Sequence, residues 1–205
     1  LHRCDGDGNN IRPLSSNIEQ DNTPWMLHDG RILYTRWEYV DRSREHFHHL
    51  WVMNPDGSGQ MVFYGNSAPG DVYLDAKPIP GGDRIVMVNS PNHGRKEHEG
   101  RVAIVSNELG PDASVTQRLL NPGNNFRDPY PWLGNSFLVA QGRSLLLMDE
   151  RGRTRELYRL AGDLAAGDNW LHEARPLRPR PREPIIPSRI SQGDTPGQLV
   201  VTDIY

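Results

Sequence analysis

The sequence predicts an all-β fold, a partial β-propeller of four-stranded antiparallel blades, and two periodic features support this prediction. The first is a motif in which an acidic residue stands three positions before a proline. Its prolines are 54, 53 and 45 residues apart by subtraction, close to the ~40 to 50 residues of a propeller blade. The second is a set of short apolar runs with the same period. The motif occurs at Asp21–Pro24, Asp75–Pro78, Asp128–Pro131 and Glu173–Pro176.

The apolar runs have the length and composition of β-strands. They are short, partly β-branched and bounded by Gly, Pro, Asn and Asp, which favours strands over helices. Two runs follow the motif in each of the first three repeats: Ile32–Thr35 and Leu50–Met53, then Ile85–Val88 and Val102–Val105, then Phe137–Ala140 and Leu145–Met148. Thr154–Ala166 is the one segment that could form a helix, but its place in the repeat predicts a strand at its start.

Glycine turns predict the last hairpin in two of the repeats. Asn54–Gly57 precedes a run that ends at Tyr64, and Asp149–Gly152 precedes a run that ends at Tyr158. Glycine supplies the positive φ that such turns need. The opening segment Cys4–Leu14 matches this hairpin but lacks the earlier part of its repeat.

The number of repeats predicts a piece of a larger ring. We expect three fuller blades at about 20–64, 74–120 and 127–160, with the first strand of another near 170–177. Propellers typically close with about four to eight blades, so further blades or a partner would complete this one. The predicted divisions are a propeller segment at 1–177, a Pro- and Arg-rich linker at 178–196 and the start of a following domain at 197–205.

Composition excludes several functional classes. The formal net charge of −3 offers no cationic excess for nucleic acid, and no apolar run is long enough to span a membrane. The single cysteine cannot form an intrachain disulfide or the Cys-x-x-Cys-His motif of haem c, so we expect no cofactor within this segment. The sequence also contains no Gly-x-Ser-x-Gly elbow, phosphate loop or dinucleotide motif.

Two histidine-bearing loops provide the candidate metal ligands. His46 and His48 follow the first apolar run of one repeat, and His93 and His98 occupy the corresponding loop of the next. Equivalent loops of a propeller emerge on one face, so these imidazoles could converge on a divalent metal. The alternative is a pair of hydrogen-bonded or solvated loops without a metal.

The acidic motif and two arginines also have structural explanations. A carboxylate beside the inner strand can accept backbone N–H bonds, while the proline would begin the strand where no ladder donor is needed. Arg36 and Arg127 could bind an anion, although pairing with a carboxylate of the same chain is the alternative.

Several segments resemble one known family. Four segments are similar in sequence to the propeller of the hydrazine synthase alpha-subunit family: Asp21–Trp25, Asp29–Tyr39, Val40–Ser43 and His49–Gly57. More loosely, Leu50–Gly57 resembles repeats of the periplasmic Tol-associated propeller. The proline-rich linker and the segment 197–205 also resemble the part of the hydrazine synthase alpha-subunit family that connects the propeller to the haem-bearing middle domain.

The resemblance implies a non-catalytic, periplasmic or otherwise extracytoplasmic scaffold. Its partners would be a neighbouring domain of the same protein or other subunits, and its histidine loops would contribute to the site of an adjacent haem domain. Haem c and zinc would belong to the full-length protein. Two alternatives remain open: a propeller whose histidines hold their own divalent metal for hydrolysis, and a propeller that binds protein or glycan through exposed aromatic residues.

Overall fold

A computed structural model describes residues 1–41, 46–67, 71–91 and 98–190. Within these ranges the chain forms fourteen β-strands and no α-helix; the two helical turns, at Ser114–Thr116 and Gly162–Ala165, are short 3-10 helices. No helix in the described ranges is long and apolar enough to cross a membrane. The predicted all-β class is confirmed.

The strands form one hairpin and three four-stranded antiparallel units, which we call blades 1 to 3. The hairpin pairs β1 (His2–Arg3) with β2 (Arg12–Pro13). Blade 1 contains β3 (Asp21–Met26), β4 (Ile32–Trp37), β5 (His48–Met53) and β6 (Met61–Tyr64). Blade 2 contains β7 (Val72–Pro78), β8 (Ile85–Ser90), β9 (Arg101–Val105) and β10 (Arg118–Leu119). Blade 3 contains β11 (Arg127–Pro131), β12 (Ser136–Gln141), β13 (Ser144–Asp149) and β14 (Thr154–Arg159).

The predicted four-stranded antiparallel units are therefore present in the structure. Each blade is a meander in which consecutive strands pair antiparallel, and a single parallel bridge between His48 and Val72 joins blades 1 and 2. The segment from Thr154 begins as strand β14, as its place in the repeat predicts.

The apolar core lies between the blades. One buried cluster joins Leu33 and Leu50 of blade 1 to Met87 of blade 2, and a second joins Val86 of blade 2 to Phe137 of blade 3. A four-stranded sheet of short strands cannot bury both of its faces alone, so each blade depends on its neighbour.

Glycine allows a close approach that recurs between successive units. Gly57, with φ 88°, lies so near the Leu14 carbonyl oxygen that an added Cβ would be 2.6 Å from it. Gly152 in the same turn of blade 3, with φ 75°, leaves no room for a Cβ beside the Leu120 carbonyl oxygen. The opening hairpin therefore contacts the turn of blade 1 in the same way as the end of the outer strand of blade 2 contacts the turn of blade 3.

The blades have two distinct ends, which we call the loop end and the turn end. At the loop end, the inner strands β3, β7 and β11 begin and the histidine-bearing loops connect the second and third strands. At the turn end, the inner strands finish beside the tight turns Leu27–Arg31 and Asn54–Ser58. Residues 178–190, called the connector below, form no regular helix or strand. Segment 191–205, including the predicted start of a domain at 197, lies outside the described residues.

Candidate functional site

Each inner strand contains a residue in the left-handed region of backbone space. These residues are Thr23, Asp75 and Asp128, with φ of 46°, 54° and 49°, and Glu173 beyond blade 3 repeats the feature at 49°. The ladder of each of the three inner strands shifts register at this residue. Left-handed backbone is rare for non-glycine residues and strained for the β-branched Thr23.

The structure corrects the alignment of the first repeat. The shift follows Asn22 in β3 and Leu74 in β7, so Thr23, and not Asp21, is the counterpart of Asp75. The structure also corrects the predicted role of proline, because Pro78 and Pro131 end their strands instead of beginning them. The sequence misleads because Pro24 occurs by coincidence three residues after an acidic side chain.

Three acidic side chains converge where the inner strands meet. One carboxylate oxygen each from Asp75, Asp128 and Glu173, called the carboxylate cluster below, lies within 4.8 Å of the other two. Asp75 and Asp128 are buried and Glu173 is exposed. The spacing would suit a bridging cation, but cationic side chains of the chain already surround the cluster.

Hydrogen bonds link two of the left-handed residues to their counterparts in the following repeat. The Asp75 amide donates to Thr23 Oγ1 over 3.3 Å, and the Glu173 amide donates to Asp128 Oδ2 over 3.0 Å. His172 Nδ1 lies 3.2 Å from the same Asp128 oxygen. The predicted use of the acidic side chain as an acceptor of backbone N–H groups is confirmed for Asp128, with the donor in the following repeat.

Positive charge balances the cluster. The buried Lys77 Nζ donates to the Asp75 carbonyl oxygen over 3.2 Å and lies 5.3 Å from the Trp25 ring centre, while Arg175 forms an ion pair with Glu173. Burial, followed by the negative charge of Asp75, raises the pKa of Asp128. Burial lowers the pKa of Lys77, against the opposing effect of the nearby carboxylates. Chemically, the arrangement sets three carboxylates beside an ammonium and a guanidinium group, and these opposite charges hold the inner strands together.

Both candidate anion-binding arginines pair with carboxylates. Arg36 Nε and Nη2 donate to the two oxygens of Asp21 at 2.8 and 3.1 Å, and the guanidinium lies 4.4 Å from the Trp51 ring centre. Arg127 pairs with Glu99 and stacks on Trp170. The structural explanation therefore holds for both arginines.

The structure places three of the four predicted metal-binding histidines. His46 is exposed at the loop end, and His48 is buried with its ring stacked on Trp37 at 5.1 Å between centres. His98 Nδ1 lies 3.8 Å from Asp75 Oδ2, so the His98 side chain reaches the carboxylate cluster. His93 lies outside the described residues.

Histidine coordination of a metal stays a prediction. In the described part of the chain, the group with metal-ligand spacing is the carboxylate cluster, which includes none of the four histidines. Sequence reasoning missed His172, which contacts Asp128 from the next repeat. Its position directly before the fourth acidic motif residue was the available signal.

The connector lies across the turn end. Arg178 stacks over the Trp132 ring at 5.0 Å, and Arg180 lies 5.7 Å from the Trp25 ring centre. A cavity of about 380 Å³ separates the connector from the ends of the inner strands. It lies at the end of the blades opposite the histidine-bearing loops.

Comparisons with solved structures agree with a propeller-like fold. Hydrazine synthase from Kuenenia stuttgartiensis matches with a TM-score of 0.65 and 24% identity, over 80% of this chain and 22% of that chain. A gluconolactonase from Xanthomonas campestris matches with a TM-score of 0.54 and 15% identity, over 78% of this chain and 55% of that chain. At such identities the likeness shows the fold alone. No protein-family model and no curated protein matches the sequence.

The match with hydrazine synthase also shows how the two chains compare in length. This chain spans about a fifth of the length of that protein. The blades, the inner strands and the similar solved structures together define a propeller-like arrangement of four-stranded β-sheets.

Proposed function

We propose that the chain is a non-catalytic propeller scaffold of a larger extracytoplasmic protein, and that it holds a neighbouring domain in place through the connector. The observation that carries this proposal is the attachment of residues 178–190 across the turn end at several separate points. A flexible linker would leave the position of the following residues open, whereas an attached one restricts it.

The connector is fastened first to the aromatic residues of the inner strands. The Arg180 guanidinium lies 5.7 Å from the Trp25 ring centre, and Arg178 Nη2 donates to the Trp132 carbonyl oxygen over 3.4 Å. Arg175, just before the connector, also lies over the Trp25 ring. Each cation–π contact contributes on the order of 0.5 to 1 kcal/mol at an exposed site. Arginine, with its flat guanidinium, suits this stacking better than lysine would.

The second attachment lies at blade 1. Asp56 Oδ2 accepts a 2.6 Å hydrogen bond from the Arg189 amide, and the Pro184 carbonyl oxygen fills the space where Gly30 lacks a Cβ. Although burial opposes it, hydrogen bonds from Ser58 and the Arg189 amide lower the pKa of Asp56 to about 2. A carboxylate with this pKa stays charged at neutral pH and keeps accepting the bond.

By resemblance to hydrazine synthase, the neighbouring domain would carry haem c, and zinc would belong to the same full-length protein. The connector as described leads along the turn end, so this end is the better candidate for the contact with that domain. A contribution of the histidine-bearing loops to the haem site remains part of the resemblance.

The experiment compares Asp56→Ala with Asp83→Ala in the full-length protein. Asp83 is an exposed acidic residue in a turn of blade 2, and it forms no hydrogen bond within the described ranges. A hydrogen bond to a charged group contributes ~1.5 to 3 kcal/mol. We therefore expect exchange of the Arg189 amide hydrogen to rise about tenfold or more in Asp56→Ala and to stay unchanged in Asp83→Ala.

Two results would contradict the proposal at different points. An Arg189 amide that exchanges as fast as an unstructured peptide in the unmodified protein would refute the attached connector, and with it the scaffold. A full-length protein without covalently bound haem, judged by its absorption spectrum after denaturation, would refute the haem-domain neighbour but not the attachment.

A further inference from the structure

The cavity at the turn end has the size and lining of a small-molecule site. Its volume of about 380 Å³ falls within the range of ~300 to 1,000 Å³ typical of ligand pockets. One wall is formed by the ends of the inner strands and the other by the connector. The residues used in the argument are Trp25, Lys77, Tyr130, Arg178, Arg180 and Glu183.

Lys77 is the buried polar group of this cavity. Its side chain is 3% exposed, and its ammonium group donates one hydrogen bond, to the Asp75 carbonyl oxygen. An ammonium group has three donors, and among the described residues this bond is the one that it makes, although it also lies over the Trp25 ring. The carboxylate cluster lies beside Lys77 and favours its charged form.

Further cationic and hydrogen-bonding groups surround the same space. Arg178 and Arg180 line it together with one carboxylate, that of Glu183, so two cations face one anion on the connector wall, while Lys77 on the opposite wall lies beside the carboxylate cluster. Within the described ranges, Arg180 forms no ion pair and the Tyr130 hydroxyl forms no hydrogen bond, although Tyr130 is 7% exposed. Tyr130 and several prolines supply apolar walls, and the ring of Trp25 beside them is covered by the cationic groups of Lys77, Arg175 and Arg180.

We propose that this cavity binds a small organic anion, a carboxylate joined to a flat apolar body. The carboxylate meets Lys77 and Arg180, and the body lies against Tyr130 and the prolines that line the cavity. Charge-assisted hydrogen bonds from ammonium and guanidinium groups are the strong ones available for a carboxylate. The scaffold proposal does not depend on this site, because attachment of the connector at Asp56 is measured separately.

The test uses benzoate as the probe and calorimetric titration of the full chain at low salt. Benzyl alcohol presents the ring without the charge, and acetate presents the charge without the ring. We expect benzoate to bind at least about tenfold more tightly than either, since each control lacks one of the two interactions. Lys77→Met should weaken benzoate binding about tenfold or more, whereas Arg155→Met, the same charge change on the exposed strand β14, should leave it unchanged.

Each outcome decides the proposal. Equal binding of benzoate and benzyl alcohol would overturn the role of the charge, and equal binding of acetate would reduce the site to one for any small anion. Failure of benzoate to bind, or equal affinities in Lys77→Met and Arg155→Met, would also overturn it. Should Lys77→Met fail to fold, Arg180→Met replaces it, because Arg180 is exposed and belongs to no strand. Since Arg180 also fastens the connector, this variant counts only if the Arg189 amide keeps its protection from exchange.

Discussion

Replacement of Gly152 by alanine tests whether close backbone contact between blades stabilises this protein. Gly152 has φ 75°, and an alanine Cβ there would collide with the Leu120 carbonyl oxygen of blade 2. The left-handed backbone alone costs an alanine ~1 to 2 kcal/mol. Forcing a methyl group into packed surroundings adds ~1 to 3 kcal/mol. The free energy of unfolding should therefore fall by about 2 to 5 kcal/mol.

Gly142 in the same blade provides a matched control. It has φ 54°, and a Cβ added there would have no atom within 4 Å. Gly142→Ala should thus lose only the conformational contribution of ~1 to 2 kcal/mol. Urea unfolding of both variants measures the difference between them. Equal losses of stability would refute the inference that the blades meet through this turn.

Two further predictions concern buried charges. Burial raises the pKa of Asp128, so its contribution to stability is complete below the ordinary pKa of 3.8 and is lost as the pH rises through the folded-state pKa. Asp128→Asn should therefore raise the melting temperature, relative to the unmodified protein, more at about pH 7 than at about pH 3; equal changes at both would contradict this. Arg36→Lys should lower the free energy of unfolding by about 1 to 2 kcal/mol, because lysine cannot reproduce the paired hydrogen bonds to Asp21 or the stacking on Trp51. No loss in urea unfolding would show that this pair adds nothing.

The turn glycines and the apolar strands could be predicted from the sequence because they depend on interactions between residues close together in the chain. Gly57 and Gly152 occur where a turn needs positive φ, and both are found there. The inner strands were harder to align. Asp21 and Asp75 look equivalent in sequence, yet the residue that shares the left-handed backbone with Asp75 is Thr23. A register shift depends on pairing with the neighbouring strand, which a local motif does not record.

The candidate site was likewise only partly predictable from the sequence. The sequence pointed to histidine loops, whose equivalence follows from the repeat, but not to the contact of His172 with Asp128 or of Arg189 with Asp56. These pairs are separated by 44 and 133 residues. Contacts at such separations arise only when the blades stack and the connector crosses their ends.

By itself, the amino-acid sequence determined the class of the fold and the places of its apolar strands and glycine turns, because periodic apolar runs and turn residues act over a few neighbours. Only the tertiary structure decided which side chains meet between the inner strands, which end of the blades the connector covers and where a cavity remains. Those outcomes depend on how separate sheets pack against one another, and packing brings together residues whose spacing along the chain carries no periodic signal.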